Sequence, residues 1–305
     1  MIAASTVLGR AGAAGARVAA LIVLAAAIAA CSRAGALTAY STEGTSAAQQ
    51  SRTIVSLNRI TQSDQGDAGA LNKRGTAFGN AGRYDKALAD FSAAIAANPE
   101  FHQAYANRGL VYIQLGDLAR AEADFAQALT LSPDYGPALI GRGDVYRLRK
   151  QFAPARADYD RALSLDGTNA RAYYSRALIL QAQGLGKRAL ADFTPAMELD
   201  PKAAEPRYAR ALSYIAANRL DEALSDLDAA VRLENGHAQA WATRGAVLER
   251  RRDLSAARIS YARALALDPG NAMARAGFDR ISGILPGLAT ADNEIDRNDT
   301  GSWLR

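Results

Sequence analysis

The chain has 305 residues, 49% of them hydrophobic, and a formal charge of +5 at pH 7. This length allows one large domain or two, and the abundance of alanine favours helices. If the segment that holds Arg10 and Arg17 is removed, 34 lysines and arginines face 31 acids and the charge falls to +3. This small and scattered excess excludes the clustered basic face that binds nucleic acid, so no nucleic-acid partner is expected.

The segment 1–30 contains no acid, and two arginines precede the apolar run 18–30. This pattern predicts a secretory signal over residues 1–30, with an apolar run too short for a comfortable membrane span. Residues 28–31, Ile-Ala-Ala-Cys, resemble the lipobox of bacterial lipoproteins. That resemblance implies lipid attachment at Cys31, the only cysteine. Ser32 then favours the outer membrane, with the protein facing the periplasm. Ordinary cleavage after Ala36 and an uncleaved anchor remain alternatives.

From position 68 onward the sequence repeats with a constant period, which equals the interval from Arg74 to Arg108. The most regular position is an arginine, which occurs at Arg74, Arg108, Arg142, Arg176, Arg210 and Arg244. A glycine or alanine follows each arginine directly. An alanine such as Ala121 comes later at a fixed offset, and an aromatic residue or leucine follows it one helical turn further on. Such a strict period indicates a repeat architecture in which each unit packs on its neighbours.

Spacing within one copy predicts two helices joined by a short turn. Tyr105 and Gly109 lie at i and i+4 and share one face of a first helix. Gly116 then interrupts the pattern. A second helix begins before Ala121 and ends near Pro133, because proline cannot continue a helix.

This repeat resembles the tetratricopeptide repeat over residues 68–271. The resemblance implies an all-α fold, a right-handed α-solenoid of six helix-turn-helix repeats. Before it, residues 31–46 are predicted to be a flexible tether. Residues 47–67 are predicted to form an N-terminal half-repeat helix, with Leu57 at the aromatic position and Ile60 at an alanine position. After it, 272–284 should form a capping helix and 285–305 a flexible tail.

An aspartate also recurs, just before the aromatic residue of each second helix except the sixth, which has Ser260. We hypothesise a ladder of structural ion pairs in which each aspartate meets the arginine of the next repeat. This pairing explains why the sixth repeat lacks the aspartate, because no seventh arginine follows it. The expected pairs are Asp90–Arg108, Asp124–Arg142, Asp158–Arg176, Asp192–Arg210 and Asp226–Arg244. The alternative is that these arginines line a binding groove.

No constellation of catalytic residues is present in the sequence. His102 and His237 fall at repeat junctions without a cysteine or a recurrent acid beside them, so no metal, cofactor or enzymatic activity is expected. The basic clusters 147–150 and 250–252 lie near first-helix C-termini, where cations suit the helix dipole. They could instead contact an acidic ligand.

The family resemblance implies that first helices line a concave groove that binds partner peptides or helices. Candidate groove residues are Asn72, Asn107, Ile140, Asp144, Arg147, Tyr174, Leu178, Tyr208, Leu212 and Arg250. The chaperone-binding clamp of the family is largely absent, since Pro137 and Gly141 replace its basic residues. The expected function is a non-enzymatic scaffold or adaptor of the bacterial cell envelope. Its partners would be other envelope proteins, and it would touch the membrane only through its lipid. The alternative is a periplasmic binding protein for a small molecule or glycan.

Overall fold

A computed structural model describes residues 47–64 and 66–284 of the chain. The predicted signal segment 1–30, the tether 31–46 with Cys31, and the tail 285–305 lie outside these residues. The described residues form helices and turns, without a strand. The helices are α1 (Ala47–Ser63), α2 (Ala68–Asn80), α3 (Tyr84–Ala97), α4 (His102–Leu115), α5 (Leu118–Leu131), α6 (Gly136–Leu148), α7 (Phe152–Leu165), α8 (Ala170–Ala182), α9 (Gly186–Leu199), α10 (Glu205–Ala216), α11 (Leu220–Leu233), α12 (Ala238–Arg250), α13 (Leu254–Leu267) and α14 (Ala272–Ile284).

Within each of two compact units the helices pack in pairs and each pair packs on the next, and the fold is an all-α repeat solenoid. In each of the six repeats we call the even-numbered helix the first helix and the odd-numbered helix after it the second helix. The helices divide into two compact units. The first ends at Leu199 and holds α1–α9, and the second begins at Asp200 and holds α10–α14.

Each turn between a first and a second helix contains one residue with positive φ, always at the same offset after the recurrent arginine. In three repeats this residue is glycine, as at Gly116 with φ of 78°. The other three use Lys150, Asn218 and Arg252, with φ of 60°, 58° and 67°. The left-handed conformation ends the first helix and lets the chain reverse. The sequence marks it with glycine in only half of the copies.

The core of the first unit is built around aromatic side chains of the second helices. Phe125 is fully buried between Gly109 of its own repeat and Gly141 of the next. A Cβ atom placed on Gly141 would lie 2.3 Å from the Phe125 ring, and one on Gly109 would lie 3.0 Å from it. The ring therefore fills the space that these two glycines leave, which explains why a small residue follows the recurrent arginine.

At the N-terminal end, α1 packs on α2 and buries Leu57. Ile60, at the position that alanine fills in the repeats, is 43% exposed, while Thr61 is 5% exposed. On the outer face of α1, Val55 is 60% exposed. Thr61 turns inward instead, where its hydroxyl accepts a hydrogen bond from Arg74.

At the C-terminal end of the second unit, α14 packs on α13. Ala274 and Ile281 of α14 are fully buried, and a Cβ atom on Gly277 would lie 2.2 Å from the Tyr261 ring. Arg280 forms two hydrogen bonds, of 2.5 and 2.7 Å, with the Glu249 carboxylate of α12. The helix thus continues the packing of the repeats.

Candidate functional site

The recurrent arginines and aspartates pair within each repeat. Arg108 donates from Nε and Nη2 to the two carboxylate oxygens of Asp124, both at 2.8 Å. The same two-bond geometry joins Arg74 to Asp90, Arg142 to Asp158, Arg176 to Asp192 and Arg210 to Asp226. The expected pairing with the arginine of the next repeat is therefore wrong. The partners stand on the two helices of one repeat, and they lie opposite each other because the chain reverses between those helices.

Three of these arginines, Arg108, Arg176 and Arg244, also reach the preceding repeat, where they contact the second position after the aspartate. Arg108 Nη1 donates to Ser92 Oγ at 3.1 Å, and Arg176 Nη1 donates to Asp160 at 2.8 Å. In the sixth repeat, Arg244 donates to Ser260 Oγ of its own repeat and to Asp228 of the preceding one, both at 2.6 Å. Each of these guanidinium groups joins the two helices of its own repeat and the second helix of the preceding repeat.

Polar contacts also connect neighbouring first helices in the first unit. Asn107 of α4 donates to Asn72 of α2 at 3.0 Å, and Ser175 of α8 donates to Asp144 of α6 at 3.2 Å. We call the surface of α2, α4, α6 and α8 that carries these residues the first-helix face. Asn72, Asn107, Asp144, Arg147 and Tyr174 of the predicted groove belong to it.

Other predicted groove residues are part of the packed interior. The side chains of Ile140, Leu178, Tyr208 and Leu212 are between 1% and 6% exposed. In the second unit, the Tyr208 ring packs edge-on against His237 at a centroid distance of 4.8 Å. Arg250 is exposed at the end of α12 and donates to Asn218 at 2.7 Å. The repeat spacing placed these residues on first helices, but it did not distinguish the buried positions of those helices from the exposed ones.

Asp144 is the centre of a buried polar cluster on the first-helix face. Its carboxylate accepts hydrogen bonds from Tyr159 Oη at 2.7 Å and from Arg171 Nη2 at 2.6 Å, besides the bond from Ser175. Arg147 Nη2 is farther away, at 3.5 Å. The cluster joins the third repeat to the fourth.

Burial alone would raise the pKa of Asp144, but the charges of Arg171 and Arg147 and the bond from Tyr159 outweigh it. The pKa of Asp144 therefore lies below its usual value of 3.8. Burial and the Asp144 charge raise the pKa of Tyr159 well above 10, so this hydroxyl keeps its proton and donates.

Sequence reasoning identified Asp144 and Arg147 but missed Arg171, Ser175 and Tyr159. The sequence did contain one indication that Asp144 has such partners. Asp144 interrupts a position that other repeats fill with Thr76, Leu110, Leu178 or Leu212, and an acid at a mostly apolar position needs a partner. The identity of that partner required the stacking geometry.

An open cleft of about 570 Å³ lies between α1 and α2 on the first unit. Its lining residues are Arg52, Thr53, Ser56, Leu57, Asn72, Lys73 and Thr76. Arg52 and Lys73 are exposed and give the cleft positive charge. Because Asn72 belongs to both surfaces, the cleft adjoins the first-helix face.

Metal ligation and membrane crossing find no support in the part of the chain that the structure describes. No group of three or more histidine, cysteine or acidic side chains among the described residues is placed to hold a metal ion. None of the helices in 47–64 and 66–284 is both long and apolar enough to cross a membrane.

Comparison with known protein families gives matches to repeat models along most of the described chain. A model described as "Tetratricopeptide repeat" matches residues 72–136 and 208–272. A model described as "TPR repeat" matches residues 143–184. No curated protein sequence matches the chain significantly.

Solved structures with a similar fold include three with low sequence identity. A chain of the APC/C hetero-tetramer Cut9–Hcn1 aligns with a TM-score of 0.70 and 15% identity over 76% of this chain. The alignment spans only 46% of that chain's length. PilW, described as a widely conserved type IV pilus biogenesis factor, has a TM-score of 0.62 and 19% identity, covering 68% of this chain and 97% of its own. PilF of Pseudomonas aeruginosa has a TM-score of 0.58 and 21% identity, covering 66% and 93%.

Proposed function

Because the chain belongs to the tetratricopeptide repeat family, we propose that it is a non-enzymatic scaffold that binds peptides or helices of partner proteins. The proposed binding surface is the first-helix face of the first unit. The observation that carries the proposal is the set of half-buried polar side chains on this face, Asn72, Asn107 and Tyr174, together with the more deeply buried Arg147. Such side chains can give a peptide backbone donors and acceptors.

The shape of the adjoining cleft favours a macromolecular ligand over a small one. Sites for small molecules enclose most of the ligand surface. Here the cleft between α1 and α2 is open, and Arg52, Thr53, Ser56 and Lys73 on its wall are exposed. An extended peptide can lie across such a surface, whereas a small molecule or glycan would stay largely in water.

Position-resolved crosslinking tests this proposal in living cells. A photoreactive amino acid at Lys73 or at Tyr174 places the probe on the first-helix face. The matched control positions, Lys86 of α3 and Arg161 of α7, lie exposed on second helices of the same unit. We expect crosslinks to other proteins from the two face positions and few from the controls. Equal crosslinking from all four positions, or from the second helices alone, would contradict the proposal.

We also propose that the protein acts in the bacterial cell envelope. In this proposal residues 1–30 direct export, Cys31 carries the lipid, residues 31–46 tether the repeats, and residues 285–305 form a flexible tail. Support comes from the sequence, where the only cysteine stands directly after the apolar run. Lipid chains add about 0.8 kcal/mol of membrane affinity per buried CH₂ group. Metabolic labelling with a lipid precursor should mark the wild type and leave Cys31→Ser unmarked, and equal labelling would refute lipidation.

A further inference from the structure

Two neighbouring first helices each carry, near their C-terminal ends, a buried N–H donor that lacks an acceptor. These donors are Gln114 Nε2 on α4 and Arg147 Nε on α6, and neither has a hydrogen-bond partner within the described chain. A buried donor without an acceptor destabilises the folded state. Both groups are donors, so one type of ligand atom, an acceptor oxygen, would satisfy them.

The ion pair that Arg147 forms is also long. The Arg147 side chain is 9% exposed, and its ion pair with Asp144 has an N–O distance of 3.5 Å. The same carboxylate accepts shorter bonds from Tyr159, at 2.7 Å, and from Arg171, at 2.6 Å. Asp144 is therefore held mainly by other donors, and a buried cation without a closely bonded anion is costly. An anionic acceptor would suit this position best.

A purely structural role in the helix dipole does not account for the position of Arg147. A cation in the last turn of a helix interacts favourably with the dipole while its head group stays in water. Arg250, in the last turn of α12, is exposed in this way. Arg147 also occupies the last turn of its helix, but its side chain is only 9% exposed.

We propose that Arg147 binds the carboxylate of an aspartate or glutamate side chain in the partner peptide, with Gln114 donating a hydrogen bond to the same peptide segment. The planar guanidinium group matches a carboxylate with two parallel hydrogen bonds. Lys73, exposed on a first helix of the same unit, adds positive charge that attracts an acidic segment. This inference rests on the proposed function, and it specifies the class of peptide.

A displayed library of random linear peptides, selected on the purified protein, provides the test. Selected sequences should be enriched in aspartate and glutamate. One selected peptide is then synthesised, and its affinity is measured by fluorescence anisotropy. Replacing its critical acid by the amide should weaken binding about tenfold or more, as expected for a hydrogen bond to a charged group. Arg147→Gln should cause a similar loss, and the two changes together should cost little more than either alone.

The control is Arg161→Gln, which removes the same charge from a second helix of the same repeat and should leave the affinity unchanged. Thermal unfolding of each variant verifies that it is folded. Gln114→Ala provides a second test if Arg147→Gln does not fold, because loss of the proposed Gln114 hydrogen bond should weaken binding of the selected acidic peptide.

The outcomes separate this inference from the proposed function. Selected peptides without acid enrichment, or acidic peptides whose affinity is unchanged in folded Arg147→Gln and Gln114→Ala, would overturn the inference and leave peptide binding intact. Failure to select any peptide would count against both.

Discussion

Arg142 and Asp158 show how a charged pair is accommodated at the packing surface of an alanine-rich helix pair. The Asp158 side chain is 9% exposed and the Arg142 side chain 26%, and the two share hydrogen bonds of 2.7 and 2.8 Å. Hydrogen bonding to Asp158 raises the pKa of Arg142 despite burial. The second position after the preceding aspartate is Ala126, which has no side-chain acceptor for Arg142.

A double-mutant cycle on this pair tests the pairing directly. For Arg142→Leu and Asp158→Leu we expect a coupling free energy of about 0.5–3 kcal/mol in chemical denaturation. Each single change should destabilise the protein more than the double change does, because a single change leaves one buried charge unpaired.

The matched control cycle combines Arg142→Leu with Asp124→Leu, the pair that the sequence had suggested. The coupling free energy of this control cycle should be close to zero, because Asp124 accepts hydrogen bonds from Arg108. A larger coupling in the control cycle than in the test cycle would show that the ladder runs between repeats.

Asp144 gives a prediction on pH. Its pKa is depressed in the folded state, so its ionised form stabilises the protein above the unfolded-state pKa of about 4. That contribution is lost as the pH falls through the lower folded-state pKa. The difference in unfolding free energy between wild type and Asp144→Asn should be constant from neutral pH to about pH 5 and shrink below about pH 4. Asp85→Asn, at an exposed site on α3, serves as the control, and a difference that grows in acid would contradict the account.

Recurrence in the sequence predicted that these charges have structural partners, but it could not choose them. Arg108 lies almost midway along the chain between Asp90 and Asp124, and the offset to each aspartate is the same in every copy that has one. Counting residues therefore fits both pairings. Only the reversal of the chain between the two helices decides which acid faces the arginine.

Turns determine how each helix pair closes, and three of the six place a non-glycine residue in the left-handed conformation. For an L-residue this conformation costs about 1–2 kcal/mol. Lys150→Gly should therefore stabilise the protein by up to about 1 kcal/mol, after the entropy that glycine loses on folding is subtracted.

The measurement is the free energy of unfolding in denaturant, with Gly116→Ala as the reverse control. That change should destabilise the protein by about 1 kcal/mol, since Gly116 has φ of 78° and open space around its Cα. Destabilisation by Lys150→Gly would mean that the Lys150 side chain has a stabilising role of its own.

The contact between helix pairs gives another prediction. Gly141→Ala must displace the Phe125 ring, because the new Cβ atom would lie 2.3 Å from it, and overpacking of this kind costs about 1–3 kcal/mol. Gly136→Ala, at the start of the same helix, meets no atom within 4 Å and should be neutral or slightly stabilising. Equal effects in thermal unfolding would show that the ring has room to move.

For the molecule as a whole, the strict period made the fold predictable. Ala121, Phe125 and their equivalents recur at helical spacing, and neither helix of a pair can bury its apolar face alone. The proposed binding surface was harder to derive from the sequence. Ile140 and Leu178 occupy first helices as expected, yet each is 5% exposed, because the depth of a side chain depends on how neighbouring pairs stack. Sequence spacing carries no information about that depth.

Hydrogen–deuterium exchange with and without a bound peptide tests the proposed binding surface most directly. With a peptide selected from the displayed library, we expect added protection in the first helices α2, α4, α6 and α8. We expect little change in the second helices α3, α5 and α7. Added protection confined to the second helices would contradict the assignment of the first-helix face as the binding surface.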